Sequence, residues 1–447
     1  MTDNKVTLKQ DLGFWDLMGA AVGQIIGAGI MALTGIAIAM TGRSVPLAFI
    51  LSAVMVLITS LPIAMLNTVA RFEGGIYSII GSMFHKKYTG VYTVLFVLQN
   101  LSLSMYCLSF ADYALPFLPM VPRKLLAVGL LLIIYVLNML GIDKFSKFQN
   151  IIVSCLVLAL TIFTIYGMIN MDFSSYYESE TFLTDGILGF LTASAQLTFA
   201  TGGATLIANL SAESKNPTRD IPRVIIISTI SVAILYAFMA TVAAGILPIS
   251  QVAGEPLTHV AKTILPKALY IFFIVGGAWT ALISTLNSQL ASCTKPLIQA
   301  AKDGWIPKKL SYIHPKYRTP VYLLSFFFIV GLLPIVFNIN ISTISRTVTL
   351  TSSFSYAMVI LGFYSMTKKF SKNWEKSFLF INSSLTTTLV VAALFVYALQ
   401  ALLMCRSLPT HFLIGNIVVI ISAFIFANVR YRSKDVNVLD SYTLNEV

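Results

Sequence analysis

The sequence predicts an all-α integral membrane protein with about twelve transmembrane helices, and three observations support this fold class. Of the 447 residues, 57% are hydrophobic and only 11% are charged, whereas about a quarter of a typical soluble domain is charged. Apolar runs of about 20 residues, long enough to cross a bilayer, recur along the whole chain. Lysine and arginine are concentrated in alternate connecting segments, as they are in multi-pass membrane proteins.

The apolar runs define the predicted spans. Residues 1–11 are polar, and many further runs follow the first one, so the first span is expected to belong to the mature protein and not to a signal peptide. The predicted spans are 13–40, 45–70, 89–118, 122–140, 146–170, 186–212, 223–248, 268–300, 319–340, 342–366, 375–402 and 409–430.

The distribution of positive charge predicts the topology. With the N-terminus on the cytoplasmic side, 22 lysines and arginines fall in inner segments and 7 in outer segments, while Lys295 lies within the eighth span. A missed helix would exchange the two sides for every later segment and remove this bias. Both termini are therefore predicted to be cytoplasmic. Because topology accounts for the net charge of +12, nucleic acid is not an expected partner.

Two spans contain glycine clusters that oppose a continuous helix. The first span carries the run 23–30, which reads Gly-Gln-Ile-Ile-Gly-Ala-Gly-Ile, and the sixth carries the run 199–205, which reads Phe-Ala-Thr-Gly-Gly-Ala-Thr. Each glycine costs about 1 kcal/mol in a helix interior. One such cluster alone would indicate close contact between helices. Two clusters five spans apart indicate an inverted repeat whose broken helices meet near the middle of the membrane.

A pair of broken helices predicts what is bound. A break exposes backbone N–H groups on one half-helix and C=O groups on the other. The N–H end carries partial positive charge and favours a carboxylate, whereas the C=O end favours an ammonium group. An α-amino acid carries both groups on one carbon, so it is the expected small-molecule substrate.

The positions of polar residues exclude other functions. No Asp, Glu, His, Lys or Arg falls at the predicted midplane of a span, which disfavours a proton pump or a voltage sensor. The four cysteines form no Cys-x-x-Cys pair, and no residues stand at metal-ligand spacing, so no metal, cofactor or enzyme active site is expected. A channel would not need paired broken helices, and it is kept as a competing class with a membrane enzyme.

These motifs resemble the amino acid–polyamine–organocation (APC) superfamily, within the LeuT-type fold, over at least residues 10–320. The run 27–30 is similar to the Gly-Ser-Gly-Ile element of the family, and the run 199–205 resembles the sixth span of L-type amino acid transporters. The run 212–217, Ala-Glu-Ser-Lys-Asn-Pro, continues that likeness. Gly74-Gly75-x-Tyr77 and the run 302–307, Lys-Asp-Gly-Trp-Ile-Pro, resemble two inner loops of the family.

The resemblance implies a five-plus-five inverted repeat followed by two further helices. The first repeat would lie in residues 1–170, the second in 171–366, and the last two spans with a short tail in 367–447. The family holds its substrate between spans 1, 3, 6, 8 and 10 and works by alternating access. The substrate-binding residues implied here are Ile26, Gly27, Ala28, Gly29, Phe199, Ala200, Thr201, Gly202, Gly203 and Ala204, with Tyr106, Asn287 and Ser288 as pocket or gate residues.

Departures from the family refine the expected function. Thr201 and Ala204 stand where large aromatic residues are common, so the pocket is expected to be wider or its gate to lie around Tyr106. Some family members carry a lysine in the fifth span in place of a coupling ion, and Leu156 stands at that position here. The sequence therefore favours an exchanger of neutral or aromatic amino acids. The alternatives are an amino acid/amine antiporter and a proton-coupled symporter.

Three further expectations concern the surroundings of the spans. Residues 71–88 are expected to contain an amphipathic interfacial helix. The short polar tail after Arg430 is expected to be disordered. The protein is expected in the cell membrane, plasma or inner, as a monomer or a weak homodimer in contact with the lipid bilayer.

Overall fold

The computed structural model describes residues 12–72, 74–141, 145–174, 176–210, 214–433, 435–440 and 442–444. Ala212 and Glu213, part of the predicted family motif, lie outside the described residues, as does the tail 1–11. The helices are α1 Phe14–Ile25, α2 Ala28–Thr41, α3 Val45–Val69, α4 Ile76–Ile79, α5 Tyr88–Gln99, α6 Ser102–Ala114, α7 Arg123–Met139, α8 Phe145–Asn170, α9 Ser179–Phe182, α10 Gly186–Thr201, α11 Pro217–Gly245, α12 Ile249–Val252, α13 Thr258–Ile264, α14 Lys267–Phe272, α15 Thr280–Lys302, α16 Val321–Val336, α17 Ile341–Lys369, α18 Ser371–Glu375, α19 Ser383–Ser407 and α20 Thr410–Arg432.

Shorter helical and extended segments complete the described chain. Turns of 3₁₀-helix cover Gly42–Ser44, Gly203–Leu210 and Lys308–Ser311. Segments of π-helix continue α4 over Ile80–Phe84 and join α14 to α15 over Phe273–Trp279. The strands β1 Ala70–Phe72 and β2 Tyr442–Leu444 form one antiparallel pair.

The predicted all-helical membrane fold is confirmed. Helix occurs at every predicted span, and the described residues hold eight helical stretches long and apolar enough to cross a membrane. The first of these stretches, Phe14–Val69, contains two predicted spans. The helices at three other predicted spans, α7, α10 and α16, are 17, 16 and 16 residues long, which is the short end of the range for a crossing helix. The number of crossings and the inverted repeat stay predictions.

The outer helices expose apolar side chains. Along α20, residues such as Ile414, Val418, Ile421 and Val429 are more than half exposed. A soluble monomer rarely leaves a continuous apolar surface of this kind in water, whereas hydrocarbon tails accept it without cost. By contrast, α3 is largely buried and lies along α10 and α11 at the centre of the molecule. The exposed faces therefore fit a chain embedded in lipid.

The tail after α20 is ordered over its described part, so the prediction of disorder was wrong there. Strand β2 pairs with β1, with Tyr442 opposite Phe72. The Asn437 backbone N–H donates a 2.9 Å hydrogen bond to the Asp303 carbonyl oxygen, and Val438 is buried. The average polarity of the tail predicted disorder. An average does not show that two single residues, the aliphatic Val438 and the aromatic Tyr442, pack against the rest of the fold.

The same pairing corrects the expectation for residues 71–88. The predicted interfacial helix begins only at Ile76 and runs to Phe84, because residues 70–72 are extended and bonded to the tail. We call the side of the molecule that carries β1, β2 and the connection after α15 the terminal face. On this face the buried Asp303 carboxylate accepts a 2.7 Å hydrogen bond from the Tyr77 hydroxyl. Burial raises the pKa of Asp303 above its usual value.

The opposite face is closed by the loop that contains α12 and α13. The Gly254 N–H donates a 2.7 Å hydrogen bond to the Gly35 carbonyl oxygen in α2. The buried Tyr113 hydroxyl donates to the Met31 carbonyl at 3.0 Å and accepts from the Leu257 N–H at 3.3 Å. This loop is therefore bonded directly to the second half of the first broken span.

Candidate functional site

The first predicted break is confirmed, because α1 ends at Ile25 and α2 begins at Ala28. Side chains from other helices satisfy the carbonyl groups that the break exposes. The Tyr236 hydroxyl donates a 2.9 Å hydrogen bond to the Ile25 carbonyl oxygen. The Thr285 hydroxyl donates at 3.0 Å to the Gly23 carbonyl oxygen. The interruption is thus held by residues from α11 and α15 and is a fixed feature of the fold.

The second predicted break is also confirmed. Helix α10 ends at Thr201, and the chain continues from Gly203 as a 3₁₀-helix to Leu210. The Thr205 hydroxyl donates a 3.2 Å hydrogen bond to the Gly202 carbonyl oxygen. The α-helical hydrogen-bond pattern of this span is therefore replaced by tighter 3₁₀ winding after Thr201.

The two interruptions touch each other through their backbones. A Cβ atom added to Gly203 would lie 2.6 Å from the Gln24 carbonyl oxygen. A Cβ atom added to Gly29 would lie 2.4 Å from the Ala200 Cα atom. Only glycine fits at either position without displacement of a neighbouring backbone. The predicted meeting of the two broken helices is therefore present in the structure.

A cavity of about 160 Å³ lies beside this contact. It extends from the interruptions along α5 and α17 toward Ile76, near the terminal face. Among the described residues that line it there is no acidic, basic or histidine side chain. The lining residues are Gln24, Val56, Thr59, Ser60, Ile76, Tyr92, Phe96, Gln99, Ser102, Tyr106, Thr198, Phe199, Gly202, Gly203, Thr205, Leu206, Gln289, Val348, Thr349, Ser352, Ser353, Tyr356, Tyr397 and Gln400.

Four of the predicted site residues line this cavity, namely Tyr106, Phe199, Gly202 and Gly203. The others with described side chains do not line it. Thr201 turns away, and its hydroxyl is 2.7 Å from the Ser52 hydroxyl. The other predicted residues that do not line the cavity are Ile26, Gly27, Gly29, Ala200, Ala204, Asn287 and Ser288, and the side chain of Ala28 lies outside the described part of the chain.

The backbones at the interruptions explain this division. Because Gly29 lies directly against Ala200, no space remains between them for a cavity. Ala204 is buried as well, so the small residues at 201 and 204 do not themselves widen this cavity. Asn287 accepts a 2.8 Å hydrogen bond from the Asn138 amide and so links α15 to α7. The binding roles of all these residues stay predictions.

Sequence reasoning missed most of the amide groups of the cavity. The Gln289 amide donates a 2.9 Å hydrogen bond to Asn100, and the Gln99 amide donates at 2.7 Å to Ser355. Gln400 reaches the cavity from α19, a helix outside the five spans that the resemblance implied. A lone glutamine within a long apolar run was the available signal for Gln400.

A second cavity of about 270 Å³ lies on the opposite face, beneath the closing loop. Asp112 and Arg123 border it and form an ion pair, with 2.7 Å between Arg123 Nη2 and Asp112 Oδ2. Each charge is thus neutralised by the other. In the part of the chain that the structure describes, no three His, Cys, Asp or Glu side chains are grouped as metal ligands.

Comparison with known proteins fits this geometry. A family model described as amino acid permease matches residues 12–431. A branched-chain amino acid permease of Bacillus subtilis is 26% identical over 73% of this chain and 74% of its own length. The large neutral amino acids transporter small subunit 2 of Homo sapiens is 27% identical over 80% of this chain and 70% of its own length.

A cationic amino acid transporter of Arabidopsis thaliana chloroplasts is 25% identical over 69% of this chain and 58% of its own length. The names of these relatives differ in the amino acid side chain and agree on amino acid transport. The matched family consists of membrane-embedded transporters and not of enzymes, and the resemblance to the APC superfamily that the motifs indicated is confirmed. The chain therefore belongs to the amino acid permease family.

Proposed function

We propose that this protein carries neutral or aromatic amino acids across the cell membrane by alternating access, as an exchanger. The observation that carries the proposal is the contact between the two helix interruptions beside a cavity whose described lining residues carry no charge. The ends of α1 and α10 border this cavity with Gln24 and Gly202. Their carbonyl groups suit the ammonium group of an amino acid.

In this proposal the carboxylate binds at the start of α2, at Gly27–Gly29, as the sequence indicated. In the structure Gly27 is covered by Thr285 and Gly29 by Ala200. Binding therefore requires the two interruptions to separate, and a bound substrate then replaces the contact between them. An empty carrier has no such replacement when it reorients. This difference favours exchange of one substrate for another over net transport.

Residues that are apolar or neutral bear on whether transport is coupled to an ion. Leu156, at the position of a coupling lysine in some family members, is fully buried in α8. The described lining of the cavity also offers no group that would gain or lose a proton near neutral pH. Both observations support exchange over proton symport. An amino acid/amine antiporter is the second candidate, because aromatic rings such as Tyr106 border the cavity.

We also propose how the chain is arranged in the membrane. The chain crosses the membrane twelve times, with the two repeats in residues 1–170 and 171–366 and two further spans in 367–447. The terminal face is cytoplasmic and carries both termini, in line with the excess of lysine and arginine in the inner segments.

Transport by purified protein in liposomes tests the proposed function. Vesicles are loaded with one unlabelled amino acid at a time, and uptake of labelled amino acids is followed with and without a pH gradient. We expect uptake that requires a loaded partner and ignores the gradient. Uptake into empty vesicles driven by the gradient would contradict exchange. Absence of uptake for every amino acid would contradict the function itself.

A further inference from the structure

One end of the cavity is polar and is formed by α17 and α19. We define the polar end by three residues, Thr349 and Ser353 of α17 and Gln400 of α19, which all line the cavity. They are almost fully buried, with 5%, 3% and 4% of their surface exposed. Thr349 and Ser353 are one helical turn apart and therefore share a face of α17.

The hydrogen bonds within the polar end are incomplete. The Ser353 hydroxyl lies 3.3 Å from the Gln400 amide oxygen and also donates to the Thr349 carbonyl oxygen at 2.8 Å. The Thr349 hydroxyl is buried and has no hydrogen-bond partner within the described part of the chain. The Gln400 amide nitrogen, Nε2, also lacks a hydrogen-bond partner among the described residues. Buried polar groups are seldom left in this way unless a ligand or water completes them.

The surroundings of the polar end define what fits there. Apolar contact comes from Val56 and Val348, which line the same cavity. The rings of Tyr356 and Tyr397 lie parallel, with centroids 6.2 Å apart and planes at 13°, and also border it. No described lining residue offers a charge that would neutralise a charged side chain.

We propose that the polar end binds the substrate side chain and selects amino acids with uncharged polar side chains, such as glutamine, asparagine, serine and threonine. This inference rests on the proposed function. A side-chain amide offers both a donor and an acceptor, which complete the Thr349 hydroxyl and the free end of the Gln400 amide. A leucine side chain would leave both groups unpaired, and a site built to hydrogen-bond its substrate rejects such an analogue strongly.

The test compares glutamine with leucine in the liposome exchange assay. We expect wild-type kcat/KM to be higher for glutamine. Thr349→Val and Gln400→Leu should each lower kcat/KM for glutamine by about 3- to 10-fold, the effect of one neutral hydrogen bond, and leave leucine unchanged or improved. Thr349→Ser retains the hydroxyl and should therefore keep the wild-type preference for glutamine.

The matched control is Thr351→Val on the same helix. The Thr351 hydroxyl is buried and bonded to the Thr347 carbonyl oxygen at 2.9 Å, and this residue does not line the cavity. The control should keep the wild-type ratio of the two substrates. If Gln400→Leu fails to fold, the Thr349 pair and the wild-type panel still decide.

The outcomes distinguish failure of this inference from failure of the proposed function. Exchange of leucine or phenylalanine with a kcat/KM above that of glutamine would overturn this inference and leave amino acid exchange intact. Equal losses for glutamine and leucine in Thr349→Val would also overturn it. No exchange of any amino acid by the wild type would overturn the proposed function, and this inference with it.

Discussion

Replacement of Gly203 by alanine tests whether the contact between the two helix interruptions carries transport. The new Cβ atom would lie 2.6 Å from the Gln24 carbonyl oxygen and 2.7 Å from its carbonyl carbon. The first distance is about 0.8 Å shorter than an ordinary contact of 3.4 Å. Both atoms belong to the backbone, so no side-chain rotation relieves the overlap.

The expected magnitude follows from that overlap. Insertion of a methyl group into a well-packed interior costs about 1–3 kcal/mol. A cost of this size, applied to the conformation in which the interruptions touch, changes its population by roughly 5- to 150-fold. Because the displaced Gln24 carbonyl group is a proposed ligand of the substrate ammonium group, we expect exchange by Gly203→Ala to fall at least fivefold, together with a lower melting temperature of the purified protein.

The matched control is Gly129→Ala in α7, where no atom of a described residue lies within 4 Å of the added Cβ atom. Alanine is favoured over glycine in a helix by about 0.5–1 kcal/mol, so this variant should be at least as stable as the wild type and equally active. Wild-type exchange and stability of Gly203→Ala would refute the idea that transport depends on this contact.

Three further predictions concern other parts of the molecule. Tyr236→Phe removes the 2.9 Å hydrogen bond to the Ile25 carbonyl oxygen, so exchange should fall about fivefold, the effect of about 1 kcal/mol, in the liposome assay. Burial raises the pKa of Asp303 above 3.8, so the carboxyl group of Asp303 holds its proton more tightly in the folded protein than in the unfolded chain. The free energy of unfolding should therefore fall as pH rises from about 4 through the raised pKa, and Asp303→Asn should remove that slope in thermal unfolding. Tyr442→Ala removes ring contacts to Phe72 and Phe370 and should lower the free energy of unfolding by about 1–2 kcal/mol in denaturant titrations.

Each of these variants has a control. Tyr135→Phe removes a hydroxyl that contacts Ser325, away from the interruptions, and should leave exchange unchanged. Phe337→Ala removes a ring that is 69% exposed and contacts no other described aromatic ring, and it should leave stability unchanged. A pH profile of Asp303→Asn that matches the wild type would show that another group titrates. Wild-type stability of Tyr442→Ala would show that the tail contributes nothing.

The sequence predicted the interruptions because their cause is local. Glycine clusters disfavour helix wherever they stand, and Gly27 and Gly203 do so here. The residues predicted on α15, Asn287 and Ser288, do not line the cavity, and the reason is geometric. Successive residues of a helix point about 100° apart, so Asn287 contacts α7 while Gln289, two residues later, lines the cavity. Sequence alone does not fix the rotation of a helix about its axis.

The contribution of α19 depends on tertiary structure in the same way. The family resemblance placed the substrate among five spans, and α19 is not one of them. Gln400 was found only because the structure shows that it lines the cavity. The ordered tail was missed because its partner, β1, precedes it by about 370 residues. Pairing at such separation leaves no periodic pattern in either segment.

The short β1–β2 ladder also offers a built-in probe of motion. Two strands of three residues are marginally stable by themselves, so this ladder should open without global unfolding. Its backbone amides, in Ala70–Phe72 and Tyr442–Leu444, would then exchange with deuterium at a rate set by the opening of the terminal face. The exchange rate measured with and without substrate would report how often that face opens, without any label placed in the transport path.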